Sequence, residues 1–176
     1  MTHHEVSEEC ADSVLLRVDI VDVGAELLAF STLADIQHSD AHLLSTDRAA
    51  ERSAEQWARA IMEDVPVDMW ATLERAWQAI ALRRAPVGTA HAIAGWRIVH
   101  ACPECVLLQA ESAFGFEGQL LFRCSDSGVL LATFVQFHDS GARAVWDRAL
   151  PAHLGFVRSL LDAEGCRLAD TSRGAE

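Results

Sequence analysis

The chain contains no lysine; all 14 of its basic residues are arginine. Set against 26 acidic residues, they leave a net charge of −12. A surface this acidic repels phosphate backbones. No arginine cluster overrides it: Arg83-Arg84 is a lone pair at a predicted helix end, where cations favour the macrodipole. Neither nucleic acid nor an anionic membrane is expected as a partner. Long apolar runs are missing as well. Stretches such as LLATFV and VLL fall far short of the roughly 20 residues that span a bilayer. The opening MTHHEVSEECADS lacks a basic segment followed by an apolar one, so no export signal is expected and a cytoplasmic location is. Cysteine is sparse, odd in number and irregularly spaced (Cys10, Cys102, Cys105, Cys124 and Cys166), which predicts free thiols in a reducing compartment. There is no Gly-rich phosphate loop, no Gly-x-Ser-x-Gly elbow and no His-Glu-x-x-His. No cofactor is expected, and whether the chain is an enzyme is left open by its motifs.

What is present is a globular composition, 51% apolar over 176 residues, the size of one domain. Residues 1–12 are polar and acidic and read as a mobile tail. Residues 13–35 form an apolar extension in which VLLRVDIV suits a strand and AELLAFSTLA a helix, with Gly24 between them. IQHSDAHLLST (36–46) suits a short strand. Ser53 and Gln56 fit a capping box that starts a helix carrying Trp57 and Ile61 on one face. Pro66 ends that helix, and Asp68 is a candidate N-cap for the next, whose apolar stripe is Trp70, Leu73, Trp77 and Ile80. From 91 to 138 the pattern changes to four strand-like runs, AIAGWRIV, VLLQAESA, QLLFRCS and VLLATFVQFH, with ACPEC, FGFEG and SDSG among the turns between them. These predict an antiparallel meander. Gly141 then opens a helix to about Glu164, interrupted by Pro151 and stopped by Gly165; residues 166–176 read as a tail. VLLATFV is apolar at every position but Thr133, so both sheet faces need a cover. The C-terminal helix supplies one. Residues 13–35 or a second copy in a homodimer supply the other.

This order, with the stretches RSAEQWARAIMEDVP (52–66), AGWRIV with VLLQAESAFGFEGQLLFR (94–123) and ATFVQFHDSGARAVWDRALPAHLGFVRSLL (132–161), resembles the START-like superfamily, also called SRPBCC or polyketide-cyclase-like. Within it, the three stretches look like a family of actinobacterial proteins with no assigned activity. The resemblance covers about residues 36–164 and carries no catalytic signature. It implies an α+β helix-grip fold, in which a curved antiparallel sheet grips a long C-terminal helix and two helices follow the first core strand. It also implies one domain over 1–176, with a hydrophobic cavity between sheet and helix.

Several residues carry candidate chemistry. Trp96 on the sheet and Trp146 on the gripping helix are the tryptophans best placed to see such a cavity, although most tryptophans are core. Phe122, Thr133 and His153 complete the expected ligand-binding set. Thr133 offers one hydroxyl in an apolar wall. His153 reads first as a core histidine bonded to a backbone carbonyl or to Thr133, and otherwise as a group suited to acid–base work near neutral pH. Asp40 and His42 share one face of a possible strand but do not make a triad. Glu111 and Arg123 are expected as a structural pair on adjacent strands. His100, Cys102 and Cys105 form His-x-Cys-x-x-Cys at a predicted hairpin, the shape of a zinc knuckle. The motif lacks a fourth ligand unless Cys124 is near, so no bound metal is expected. The leading functional expectation is a binder of a small hydrophobic or aromatic molecule. The alternatives are a cyclase- or dehydratase-like enzyme using His153, and a dimeric interaction protein without a ligand.

Overall fold

The computed structural model of the protein describes residues 16–174. The expected tail at 1–12 lies outside the described residues, as do 13–15 of the N-terminal extension. The elements run in the order β1 (Arg17–Ile20), α1 (Ala25–Leu28), β2 (His38–Ser45), α2 (Ala54–Met62), α3 (Val67–Ala79), β3 (Leu82–Arg83), β4 (Ala92–Ile93), β5 (Trp96–Ala101), β6 (Cys105–Ser112), β7 (Phe116–Ser125), β8 (Gly128–Phe137) and α4 (Ser140–Arg173). The strands make one curved, open, antiparallel sheet ordered β1-β2-β8-β7-β6-β5-β4, with β3 pairing to β6 outside that path. The α4 helix packs across it, so the α+β helix-grip arrangement is the one the protein adopts. The α2 and α3 helices are inserted after β2, and α2 is the helix that α4 packs against.

Local chemistry explains the boundaries. Ser53 caps α2 by accepting from the Gln56 amide (3.2 Å), while the Gln56 side chain accepts from the Ser53 amide (2.9 Å). Trp57 and Ile61, four residues apart on that helix, are both fully buried. The cap of α3 differs from expectation. Pro66 itself stands at the N-cap, and Asp68 falls inside the first turn, where its charge still faces the helix's positive end. AIAGWRIV is also not one run. Ala94 and Gly95 both take positive φ (49° and 83°), the two-residue turn that joins a tight hairpin, so β4 and β5 fold back on each other. Glu63 accepts from the Ala94 amide (2.9 Å) and Arg84 donates to the Ala94 carbonyl (3.0 Å), which fixes a conformation alanine does not favour.

The α4 helix is longer than its sequence suggests. The Asp139 carboxylate caps it by accepting from the Ala142 amide (2.8 Å), and it continues through Pro151 and past Gly165 to Arg173. Gly165 is not a stop but a point of close approach. A Cβ there would meet Leu44 Cδ1 at 3.3 Å, so glycine lets the helix sit down on β2. The expected tail is therefore helical over 166–173, with Leu168 buried in the core. Glu164, beside that contact, is buried and ion-paired to Arg52 (3.0 Å) and to Arg167, whose guanidinium also donates to the Ala60 carbonyl (2.7 Å).

Both faces of the sheet are covered. The inner face (Leu44, Val106, Leu108, Phe122, Val129, Leu131) packs on Trp57, Ile61, Leu73, Val157, Leu160 and Leu161 of the helices. The outer face (Ala41, Cys105, Leu107, Leu121, Ala132, Phe134) packs on Val21, Leu27, Leu28, Phe30, Leu33 and Ile36. Residues 21–36 thus form a strap over the face whose exposure motivated a homodimer, and the apolar sheet does not need a second copy to bury it. Arg123 belongs to the strap's contacts: it pairs with Glu26 (2.7 Å) and lies over the Phe30 ring. The expected Glu111–Arg123 pair does not form, because Glu111 stands opposite Glu117 and Arg123 opposite Cys105.

One buried side chain latches the strap. The Gln119 carbonyl accepts from the Ser31 hydroxyl (2.7 Å) and the Thr32 amide (3.1 Å), and its amide donates to Thr32 Oγ1 (2.6 Å) and Gln109 Oε1 (2.8 Å). Gln119→Ala removes all four bonds and leaves their partners under the strap. We expect a loss of roughly 1–3 kcal/mol, together with faster hydrogen exchange of the strap amides while those of β6–β8 stay protected. A strap with unchanged exchange would show that apolar contacts alone hold it.

Candidate functional site

The site begins with alternation on β2. In a strand, side chains two apart share a face, so His38, Asp40, His42 and Leu44 all turn to the inner side, where Leu44 joins the core. Three polar side chains in a row on a buried face require partners. Asp40 and His38 partner each other, and α4 adds a third group: Asp40 Oδ2 accepts from His38 Nε2 (2.8 Å) and from His153 Nε2 of α4 (3.1 Å), while Asp40 Oδ1 and His42 Nδ1 have no hydrogen-bond partner in the protein. His42 Nδ1 lies 3.7 Å from the other carboxylate oxygen, beyond hydrogen-bonding distance.

The electrostatics follow from this geometry. Burial pushes the Asp40 pKa up, but the hydrogen bonds and charges of His153 and His38 outweigh it and hold the carboxyl well below the usual carboxylate range. Asp40 is therefore an anion at neutral pH. Both imidazoles then present Nε2–H to it, and Nδ1 of His153 is left as that ring's other nitrogen. His42 behaves oppositely: burial lowers its pKa, more than the nearby Asp40 charge raises it, so its ring is held neutral. Trp146 sits among these groups, its ring 5.3 Å from His38, 5.0 Å from His153 and 5.7 Å from Phe116.

Beside the cluster, between sheet, α3 and α4, lies an apolar cavity of about 90 Å³. Its floor is Trp96, Phe116, Gly118, Leu120, Leu131 and Thr133; its helical walls include Trp77 of α3, Ile80 at that helix's C-cap, and Trp146, Ala149, His153 and Phe156 from α4. The floor residues Trp96, Phe116, Leu120, Leu131 and Thr133 are buried, while Trp77, Ile80, Ala149 and Phe156 are partly exposed, so the mouth lies between α3 and α4. Small residues make the space. Gly118 lies under the Trp96 ring, where a Cβ would already be 3.5 Å from it, and Ala76, Ala149 and Ala152 line the helical side. The volume is below the roughly 300 Å³ of ordinary ligand pockets and below the ~150 Å³ that admits benzene, so any ligand beyond a few heavy atoms requires the α3–α4 mouth to give.

Four of the five expected ligand-binding residues, Trp96, Thr133, Trp146 and His153, line this one cavity. Phe122 does not. It faces the same side of the sheet but is fully buried in the core cluster that includes Trp57 and Ile61. His153 bonds to Asp40, and not to Thr133 or a backbone carbonyl. Sequence reasoning missed His38 altogether and missed that Asp40 is the partner of His153. The available signal was His-x-Asp-x-His on a strand whose next same-face residue is Leu44, which places all three polar groups inward.

The thiol motif forms a second, separate cluster. One ligand atom from each of His100, Cys102 and Cys105 lies within 4.8 Å of the others. Cys124 is not near them. It follows Arg123, the cross-strand partner of Cys105, and so points to the opposite face, where it packs with the inner core. Compared with known proteins, the chain matches no family model and no curated protein. Among the described residues, no helix is long and apolar enough to cross a membrane.

Linkage gives the pH behaviour of the cluster its sign. Asp40, depressed in the fold, adds stability that is complete above its unfolded pKa of about 3.9 and is lost as pH falls below that. His42, also depressed, adds stability that is complete above about 6.5 and is lost as pH falls below that value. In denaturant titrations at pH 7.5 and 5.5, His42→Gln should therefore lose less stability on acidification than the wild type. Asp40→Asn should lower stability at both pH values by roughly 2 kcal/mol, the worth of hydrogen bonds to a charged group. An equal slope in His42→Gln and wild type would show that the His42 ring is not held neutral.

Proposed function

We propose that the protein binds a small apolar or aromatic molecule carrying at least one polar atom, in the cavity between sheet and α4, in the manner of the START-like proteins its sequence resembles. One observation carries this reading. Trp96 Nε1, Thr133 Oγ1 and Trp146 Nε1 are buried, have no hydrogen-bond partner in the protein, and belong to residues that line the same apolar space. A buried polar group left unpaired costs roughly 1–3 kcal/mol, so three around one cavity form an uncommon concentration of unused hydrogen-bonding capacity. Two of the three are indole N–H donors, which call for an acceptor such as a carbonyl or phenolic oxygen; the threonine hydroxyl both donates and accepts. The rest of the lining is hydrocarbon and aromatic, which suits a ring.

Phenol and cyclohexanone are suitable probes, with benzene as the control that lacks polar atoms. We expect the first two to raise the melting temperature and shift tryptophan emission. Thr133→Val and Trp146→Phe should weaken them by up to about tenfold, the worth of one hydrogen bond, and leave benzene unaffected. Ala149→Leu, which fills the space, should abolish all three responses. No response to any probe at millimolar concentration would overturn the reading; so would benzene binding as tightly as phenol.

A second reading is favoured by the 3.1 Å bond between His153 and Asp40. A carboxylate that orients an imidazole at the wall of a water-poor cavity is an acid–base arrangement, and a carbonyl compound held there could lose an α-proton to the ring. Cyclohexanone in D2O, followed by NMR, separates the two readings. Enzyme-dependent deuteration that disappears in His153→Gln supports catalysis, whereas binding without deuteration leaves a carrier.

A further inference from the structure

We propose that His100, Cys102 and Cys105 form a binding site for a thiophilic divalent ion of the zinc class, with three protein ligands and a fourth position open to solvent. The sequence counts against a closed, four-ligand knuckle, and the structure agrees by placing Cys124 across the sheet. An open site needs only three side chains, converging and held.

Convergence comes from a β-bulge. Ile98 stands opposite Leu108, and unbroken pairing would set Val99 opposite Leu107 and His100 opposite Val106, turning His100 to the inner face. Instead the register shifts between Ile98 and His100, so that His100 stands opposite Leu107, on the outer side with Cys105. Bulges re-aim single side chains in this way, commonly beside functional sites. Without this one, the imidazole and the two thiols would lie on opposite faces.

The turn that carries the thiols is held on every side. Cys102 and Cys105 exchange both backbone hydrogen bonds (2.8 and 3.3 Å), closing the β5–β6 hairpin. The Pro103 carbonyl accepts from the Ala54 amide at the start of α2 (2.9 Å), and the Glu104 carbonyl from the Cys124 amide of β7 (2.8 Å). The two sulfurs are 2.9 Å apart. Two thiolates sharing a tetrahedral zinc at ~2.3 Å lie about 3.8 Å apart, a separation reached by small side-chain rotations with the backbone fixed. His100 is exposed, Cys102 partly so and Cys105 buried, so an ion enters from the His100 side and keeps that side for a water or a ligand. The site is on the opposite face from the cavity and does not depend on the function proposed for it.

The test is titration of the fully reduced chain with Co(II), read by its thiolate charge-transfer band and ligand-field bands, followed by displacement with Zn(II). We expect saturation at one ion per chain. His100→Ala, at an exposed position that does not threaten folding, should weaken binding by at least about tenfold, and Cys102→Ser should remove most of the charge-transfer band. Added azide should shift the ligand-field bands by taking the open position. A reduced protein that shows no charge-transfer band at millimolar Co(II) overturns the site. So does a band indifferent to His100→Ala. A chain that forms a Cys102–Cys105 disulfide in air yet binds no Co(II) when reduced also overturns it, and assigns the pair to thiol–disulfide exchange.

Discussion

The buried Asp40 carboxylate is the constraint around which the inner side of the protein is arranged. An ion taken out of water costs several kcal/mol unless its oxygens are satisfied. Asp40 offsets part of that cost through one oxygen, Oδ2, which is held from two directions at once, by His38 of its own strand and by His153 of α4, while Oδ1 is buried without a hydrogen-bond partner in the protein. The second bond fixes where the helix lies over the sheet near its middle. With His153 held, Trp146, Ala149 and Phe156 are carried to the cavity wall by the helical repeat alone. Moving the helix by one residue along β2 would leave a buried charge half-paired, so the carboxylate acts as a register mark for a helix of 34 residues that apolar packing alone would position less sharply.

A second tie acts further along the same helix. Glu164 is buried and held by Arg52 and Arg167, and Gly165 beside it allows contact with Leu44. Between these polar ties the helix contributes Val157, Leu160 and Leu161 to a filled core. The cavity lies along the same helix on both sides of His153, from Trp146 to Leu160, and small residues such as Ala149, Ala152 and Gly118 line it. The space is thus set by residue size on a helix tied to the sheet by the Asp40–His153 hydrogen bond and tied beyond it by the ion pairs of Glu164. Collapse onto it would require the Asp40–His153 bond to shift.

Most of the architecture was legible because it rests on strong periodic signals. The capping box at Ser53, the change of period near His91 and the apolar runs of β6 to β8 each express one physical preference with no competitor. The errors share a cause. Gly165 looks like a helix stop until Leu44 is known to press against it, and AIAGWRIV looks like one strand until Glu63 and Arg84 are seen to hold Ala94 in a left-handed turn. In both places a contact distant in sequence overrides the local preference. His153 was found from helical spacing, but its partner lies 113 residues earlier, on a strand whose neighbours only the β2–β8 pairing reveals. Phe122 failed as a cavity residue because alternation tells the face of a sheet and not the position along it.

The alternation of β6 also decides how the two candidate sites relate. Val106, Leu108 and Ala110 point to the inner core shared with α2 and α4, and Cys105 and Leu107 to the outer cluster under the strap. The cavity and the imidazole–thiol cluster therefore lie on opposite sides of a sheet whose interior is close-packed, with no shared side chain between them. A close-packed sheet transmits strain but gives a ligand on one face no direct contact with an ion on the other. Any coupling between them has to pass through an element that both touch. The β5–β6 hairpin is one such element, beside β7: Trp96 at the start of β5 forms part of the cavity floor, and His100 near its end carries the imidazole. The bulge between Ile98 and His100 falls between those two residues. It is a local break in the ladder, where the pairing that holds Trp96 and Ile98 does not run on unbroken to His100. The same irregularity that brings the imidazole to the thiols thus stands along the strand between it and the cavity floor.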